Sequence, residues 1–148
     1  MLALRYVYVL ALAIWLGGMV VLGAVVAPLL GGAVFGAILW RFHYVAYGAG
    51  LLALVTLSAM ALLGPRPRGF AVRSSIVGLM LVVALYSGFA VLREADAIQQ
   101  GVAGLPSSLP TGDARRVRFD ELHQRSTQLM MVNIAGALML LYWEARER

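Results

Sequence analysis

The sequence contains no cysteine and no lysine, and few of its residues are charged. Without cysteine the chain has no disulfide, no thiolate metal ligand and no cysteine nucleophile. Charged residues make up 13% of the chain and hydrophobic residues 61%, a balance too apolar for an ordinary soluble domain. The net charge of +5 comes from arginines that stand beside hydrophobic runs. We therefore expect these arginines to meet lipid headgroups, and we do not expect nucleic-acid binding.

Four long hydrophobic runs dominate the sequence, and each is long enough as a helix to cross a bilayer core of about 30 Å. A helix satisfies its own backbone in lipid, and these runs lack the alternation of barrel strands. The sequence predicts one all-α integral membrane domain over residues 1–148, a four-helix transmembrane bundle with short first and second loops and a longer third loop. The predicted helices cover about 4–30, 34–63, 73–92 and 114–144, and the long loop covers 93–113.

Small residues inside the predicted helices indicate where neighbouring helices approach closely. A glycine or alanine exposes its backbone, and pairs of them four residues apart are typical of helix contacts in membranes. The glycines predicted to serve helix packing are Gly17, Gly18, Gly23, Gly50 and Gly88.

Two histidines, His43 and His123, are the only ones in the chain. Both lie near the loop ends of even-numbered helices, so a four-helix topology places them on the same side of the membrane. Two neutral imidazoles could ligate haem iron or a transition metal, and Met19, Met130 or Met131 could add a thioether ligand for copper. In the alternative interpretation His43 is an interfacial aromatic, His123 forms a hydrogen bond at the interface or caps a neighbouring loop, and the methionines only pack.

Charged residues near these histidines predict a polar mouth of the bundle, formed with His43 and His123 by Arg41, Asp120, Glu121 and Arg125. Charged groups near a membrane interior usually pair or line a watery path. The alternative is that they lie at headgroup level and reach toward water.

Three further positions in the fourth helix carry predictions. Asp113 is predicted to cap its N-terminus. Asn133, several residues into the apolar run, needs a hydrogen-bond partner, which we expect on a neighbouring helix. Beyond Trp143, which belongs to an aromatic belt at the membrane surface, we predict a charged tail that begins at Glu144.

Short motifs suggest a family. Trp15-Leu16-Gly17-Gly18 followed by Ala27-Pro28, together with Phe119, His123 and Ser126, resembles the bacterial family catalogued as domain of unknown function 4149. That family is similar to the eukaryotic transmembrane protein 205 group. The resemblance covers nearly the whole chain and implies a membrane or transport role, since the eukaryotic relatives are associated with tolerance of metal-containing drugs.

A more distant likeness is to the copper-resistance D membrane proteins and the haem-binding protoporphyrinogen oxidase J family. These share a first helix with a similar tryptophan and glycine motif, preceded by a histidine about two helical turns earlier. Tyr8 stands at that position here. The likeness therefore carries over the fold and His123 as a candidate ligand, but neither haem ligation nor oxidase activity.

No recognisable catalytic set is present, and the predicted function does not require catalysis. The first hypothesis is handling of a metal ion or small solute at the polar mouth. The alternatives are an accessory or structural subunit of a larger membrane complex, as a partner of other subunits or as a homo-oligomer, and a haem-binding redox protein. The arginines divide evenly between the two sides, and the short basic turn at 64–69 favours cytoplasmic termini in a bacterial inner membrane.

Overall fold

Helices make up most of the chain that the structure describes. The structure is a computed structural model that describes residues 2–30, 32–64 and 66–147. Four long helices follow in order, α1 (Leu2–Leu29), α2 (Gly32–Leu63), α3 (Phe70–Gln100) and α4 (Ala114–Arg146). Each contains a stretch that is long and apolar enough to cross a membrane, and no strand occurs in the described ranges. The predicted all-α, four-helix membrane bundle is therefore confirmed.

Each helix packs against two others. α1 and α3 both lie against α2 and α4, so helices that are neighbours in the sequence are also neighbours in the bundle. The bundle consequently has two different ends. The α1–α2 and α3–α4 connections lie at what we call the loop end. The opposite end, where α1 begins, α2 joins α3 and α4 ends, is the terminal end.

A buried stripe on each helix faces the bundle axis. Residues three or four positions apart fall on one face of a helix, which is the spacing of these stripes. Lipid is as apolar as the core, so close van der Waals packing drives the association of these helices. Residues at the centre of this core are Tyr8, Leu12, Trp15 and Met19 of α1, Ala46, Ala53 and Leu57 of α2, Val77, Met80 and Ala84 of α3, and Ala137 and Leu140 of α4.

Most of the glycines predicted for packing lie directly against a neighbouring side chain. A Cβ atom would meet Phe42 at Gly18, Met130 at Gly23, Leu81 and Trp15 at Gly50, and Tyr47 and His43 at Gly88. The structure differs from the prediction at Gly17, where a Cβ would meet nothing within 4 Å among the described residues. Gly17 lies on the outward face of α1, because the buried face of that helix is set by Trp15 and Met19.

The third helix is longer than predicted. The predicted loop at 93–113 begins with a helical stretch, Arg93–Gln100, that continues α3 without a break. The hydrophobic run ends at Leu92, but Glu94 then accepts hydrogen bonds from Arg118 of α4 at 2.6 and 3.0 Å. This contact between helices supports a polar extension that hydrophobic length alone does not predict. The rest of the connection contains one short 3₁₀ turn, Pro106–Ser108.

Two of the helices contain π-helical segments near the loop end. They are Leu22–Val26 in α1 and Ser87–Leu92 in α3. In α1 the segment precedes Pro28, which has no N–H to donate and crowds the preceding turn, so a wider turn is favoured. Wider turns of this kind occur often beside binding sites, and both segments here border the cavities described below.

Candidate functional site

The residues of the predicted polar mouth lie at the loop end, and most are exposed. Arg41, Asp120, Glu121, Arg125 and His123 are exposed, whereas His43 is buried with 7% of its surface accessible. The predicted polar mouth is therefore a rim of exposed charged residues, and of its members only His43 is buried between the helices.

Ion pairs link part of this rim to its neighbours. Glu121 pairs with Arg118 at 3.2 Å. Arg118 also binds Glu94, so it joins α3 to α4. At the start of α4, Asp113 accepts a hydrogen bond from the backbone N–H of Arg115 at 2.8 Å, which confirms the predicted cap.

Two outer cavities open between the helices at this end. Their volumes are about 250 Å³ and 460 Å³, and both are bordered by His123, Ser126 and Leu39. The smaller one also touches the extension of α3 through Asp96 and Gln99. His123 therefore lies at the border of both outer cavities.

An inner cavity of about 50 Å³ lies deeper between the helices. Its polar and polarisable wall consists of Met19, His43, Ser87, Ser126, Met130 and Asn133. It shares Met19, Ser126 and Met130 with the larger outer cavity. The two spaces are therefore neighbours separated by a wall that includes two methionines.

The orientation of His43 leaves one ring nitrogen available. Its Nδ1 lies 2.8 Å from the carbonyl oxygen of Leu39. A carbonyl only accepts hydrogen bonds, so Nδ1 carries the proton and Nε2 keeps its lone pair. A neutral imidazole with a free Nε2 and a second nitrogen held by the backbone is the usual state of a metal-binding histidine.

Asn133 provides a second unusual group in the same wall. It is 5% exposed, and its Oδ1 accepts no hydrogen bond from any described residue. A buried acceptor without a partner is unfavourable by about 1 to 3 kcal/mol. The partner predicted on a neighbouring helix is therefore not found for Oδ1, and this oxygen is available to a polar ligand.

The two histidines are not brought together in these cavities. His43 borders the inner cavity and His123 the outer ones. No cluster of three or more histidine, aspartate or glutamate side chains suited to a metal ion occurs in ranges 2–30, 32–64 and 66–147. What the fold does bring to one cavity is His43 with Met19 and Met130, a donor set of nitrogen and sulfur.

A second polar group, which the sequence-based predictions do not include, lies at the terminal end. We call Arg5, Arg73, Glu144 and Glu147 the terminal-end cluster. The sequence predicts a charged tail that begins at Glu144, but α4 continues to Arg146 and Glu144 is buried, with 4% of its surface accessible. The prediction was wrong because helical spacing carries the stripe of Asn133, Ala137 and Leu140 on to position 144.

The same extension of the stripes on α3 and α1 leads to two other members of this cluster, Arg73 and Arg5. On α3 the stripe of Val77, Met80 and Ala84 runs back to Arg73, which is 2% exposed. On α1 one turn before Tyr8 is Arg5. The burial of these charged residues is thus indicated by their helical spacing from the apolar stripes. This spacing is seen only when charged residues are counted as possible members of a stripe.

Comparison of the chain with protein-family models, curated proteins and solved structures finds no match. Membership of the family named above therefore stays a prediction.

Proposed function

We propose that the protein binds a soft metal ion, monovalent copper in particular, in the inner cavity at the loop end of the bundle. The observation that carries this proposal is that one buried cavity is bordered by an imidazole with a free Nε2, His43, and by two thioethers, Met19 and Met130. Thioether and imidazole ligands favour Cu(I), whereas hard cations prefer carboxylate and carbonyl oxygen. The donor set therefore supports copper over magnesium or calcium.

The outer cavities supply a route to this site. His123 borders both of them, and Met131 borders the larger one. An ion that enters from water would meet these two donors first and then Met19 and Met130, which border both spaces. In this proposal the polar mouth is the entrance and the inner cavity is the site.

The proposal places the protein in a bacterial inner membrane with its termini in the cytoplasm. The turn between α2 and α3 is short, and it carries Arg66 and Arg68. Short basic loops stay on the cytoplasmic side. The mouth then faces the opposite compartment.

The test is a competition for Cu(I) between the purified protein and a colorimetric Cu(I) chelator, in mild detergent without oxygen. We expect about one equivalent of copper to bind to the natural sequence. His43→Ala, Met19→Leu and Met130→Leu should each weaken binding at least about tenfold, since even outer groups of a metal site contribute 10–100-fold. Met139→Leu is the matched control, because Met139 lies on the same helix as Met130 but faces outward.

Equal binding by all four variants would contradict the proposal. An absorption spectrum of the protein as purified tests the alternative cofactor. A Soret band lost in both His43→Ala and His123→Ala would establish a haem in place of copper. Such a haem would require the two histidines to face one space, and the cavities described here separate them.

A further inference from the structure

The terminal-end cluster brings charged side chains from three helices into the interior. Arg73 of α3 and Glu144 of α4 have side chains that are 2% and 6% exposed. Arg5 of α1 is partly exposed, at 40%. Charges inside a membrane bundle are unfavourable unless they pair, so their mutual contacts determine what this end can do.

Glu144 is the centre of these contacts. Its carboxylate accepts a hydrogen bond from Arg73 Nη1 at 2.8 Å and another from Arg5 Nε. Arg5 Nη2 also donates to the backbone carbonyl of Glu144 at 3.1 Å. One carboxylate therefore holds α1, α3 and α4 together at the terminal end.

Two further contacts fix the position of Arg73. Its Nη2 lies 2.6 Å from a carboxylate oxygen of Glu147. The guanidinium carbon lies 5.4 Å from the ring centre of Trp143, a cation–π distance. Arg73 is thus held by two carboxylates and one ring, of which Glu144 and Trp143 lie on α4 and Glu147 directly follows its end.

The cluster lies between a surface cleft and the buried core of the bundle. The cleft, of about 460 Å³, is bordered by all four charged residues of the cluster together with apolar residues. One helical turn inward from Glu144 lies Leu140, which is 1% exposed, and Tyr8 on α1 is fully buried. The ion pairs therefore lie between the cleft and the buried core of the bundle.

We propose that the terminal-end cluster is a gate that closes this end of the bundle. Both ends of the bundle have open spaces, but the π-helical turns lie near the loop end, whereas the three helices at the terminal end are joined by Glu144. A buried ion pair suits a gate, because its desolvation offsets much of its attraction, so the paired and hydrated states differ little in free energy. The gate opens when Glu144 separates from Arg73 and Arg5. Water from the cleft then hydrates the carboxylate and both guanidinium groups.

The test measures the exposure of a single cysteine on either side of the gate, and it involves no metal, so it is independent of the copper proposal. Leu140→Cys places a thiol one turn inside the gate, and Leu122→Cys places one in the buried wall of the loop end. Because the chain has no cysteine of its own, each variant carries one thiol. The protein is placed in lipid nanodiscs, where both ends face water, and is labelled with a water-soluble maleimide.

Glu144→Gln removes the central charge with almost no change in volume. We expect it to raise the labelling rate of the Leu140→Cys thiol by more than about tenfold, because a buried pair that loses one partner is strongly destabilised locally. The Leu122→Cys rate should not change. Glu121→Gln, the same change at an exposed ion pair of the loop end, should leave the Leu140→Cys rate unaltered.

Glu147→Gln provides a milder variant, since Glu147 contacts Arg73 at the edge of the cluster. It should raise the labelling rate of the Leu140→Cys thiol by a smaller factor. If Glu144→Gln does not fold, this variant tests whether the cluster is a gate. Circular dichroism and gel filtration establish folding. An equal rise at both cysteines would mean general loosening, and no rise at Leu140→Cys in folded protein would mean that the pairs do not control access. Either result overturns the gate.

Discussion

Asp113 fixes the first turn of α4 by two kinds of contact with Arg115. Its side chain accepts from the backbone N–H of Arg115 at 2.8 Å and from the guanidinium of the same residue at 2.9 Å. These hydrogen bonds, with the guanidinium contact the larger, hold the pKa of Asp113 below its usual range. A carboxyl with a lowered pKa stabilises the native state above its unfolded pKa, and this contribution is lost as the pH falls through the native pKa.

We therefore expect the first turn of α4 to loosen in acid. Hydrogen exchange of the amides at 114–117, corrected for the intrinsic rate at each pH, should become faster as the pH falls through that range. Asp113→Ala should show the fast exchange at every pH, because it lacks the cap. Thr111→Ala, two residues earlier, is the control and should behave as the natural sequence. Protection that does not vary with pH would show that the cap does not depend on the carboxylate charge.

Two acidic residues show what can be predicted at the scale of single residues. The cap by Asp113 is a local signal, since an aspartate before a helical run bonds to amides within three residues. The burial of Glu144 depends on Arg73, far away in the sequence, and on Arg5 near the start of α1. A carboxylate next to an aromatic belt is more often exposed, so its burial could be predicted only by continuing the helical stripe.

At the scale of helices, α2 offers two glycines with opposite surroundings. A Cβ at Gly50 would lie 2.9 Å from Leu81 and 2.9 Å from Trp15, which are on α3 and α1. A Cβ at Gly48 would meet nothing within 4 Å among described residues. Gly50 therefore sets the spacing of three helices, and Gly48 faces outward.

We expect Gly50→Ala to lower the free energy of unfolding by about 1 to 3 kcal/mol, because the added methyl group overpacks a tight contact. Gly48→Ala should be neutral or stabilising by up to about 1 kcal/mol, since alanine is the better helix former. Thermal unfolding in detergent, followed by circular dichroism, measures both. Equal melting temperatures for the two variants would mean that the helices can move apart at Gly50 without loss of stability.

The end of the third helix was not predictable from its hydrophobic run, whereas the polar start of α4 was predicted from the Asp113 cap. The predicted end of the third helix at 92 is where the apolar run stops, yet the helix continues to Gln100. The extension is polar, and Arg118 of α4 binds it through Glu94. A contact between two distant segments cannot be derived from the composition of either segment.

At the scale of the whole molecule, topology predicts which residues share an end but not which share a cavity. His43 and His123 do lie at the same end, as the alternation of four helices requires. The rotation of each helix about its own axis then decides the rest, and it turns His43 inward and leaves His123 exposed. That rotation is set by packing, for example of Trp15 against Gly50.

Four membrane crossings require the two ends of the bundle to face opposite compartments. Single cysteines at exposed positions test this, Ala145→Cys at the terminal end and Ser107→Cys in the α3–α4 connection. In sealed inverted membrane vesicles an impermeant maleimide should label Ala145→Cys, and should label Ser107→Cys only after permeabilisation. Labelling of both cysteines before permeabilisation would contradict four crossings. Labelling of Ser107→Cys but not of Ala145→Cys before permeabilisation would contradict cytoplasmic termini and leave the four crossings intact.

The orientation itself should depend on very few arginines. Because arginines are shared evenly between the two sides, we expect the short turn with Arg66 and Arg68 to set the bias. Arg66→Gln with Arg68→Gln should therefore give a mixed population, in which Ala145→Cys is labelled only in part before permeabilisation. Arg93→Gln with Arg125→Gln removes the same charge from the loop end and should leave labelling complete. A double variant of the turn that keeps full labelling would mean that another feature, such as the order of insertion of the helices, sets the orientation.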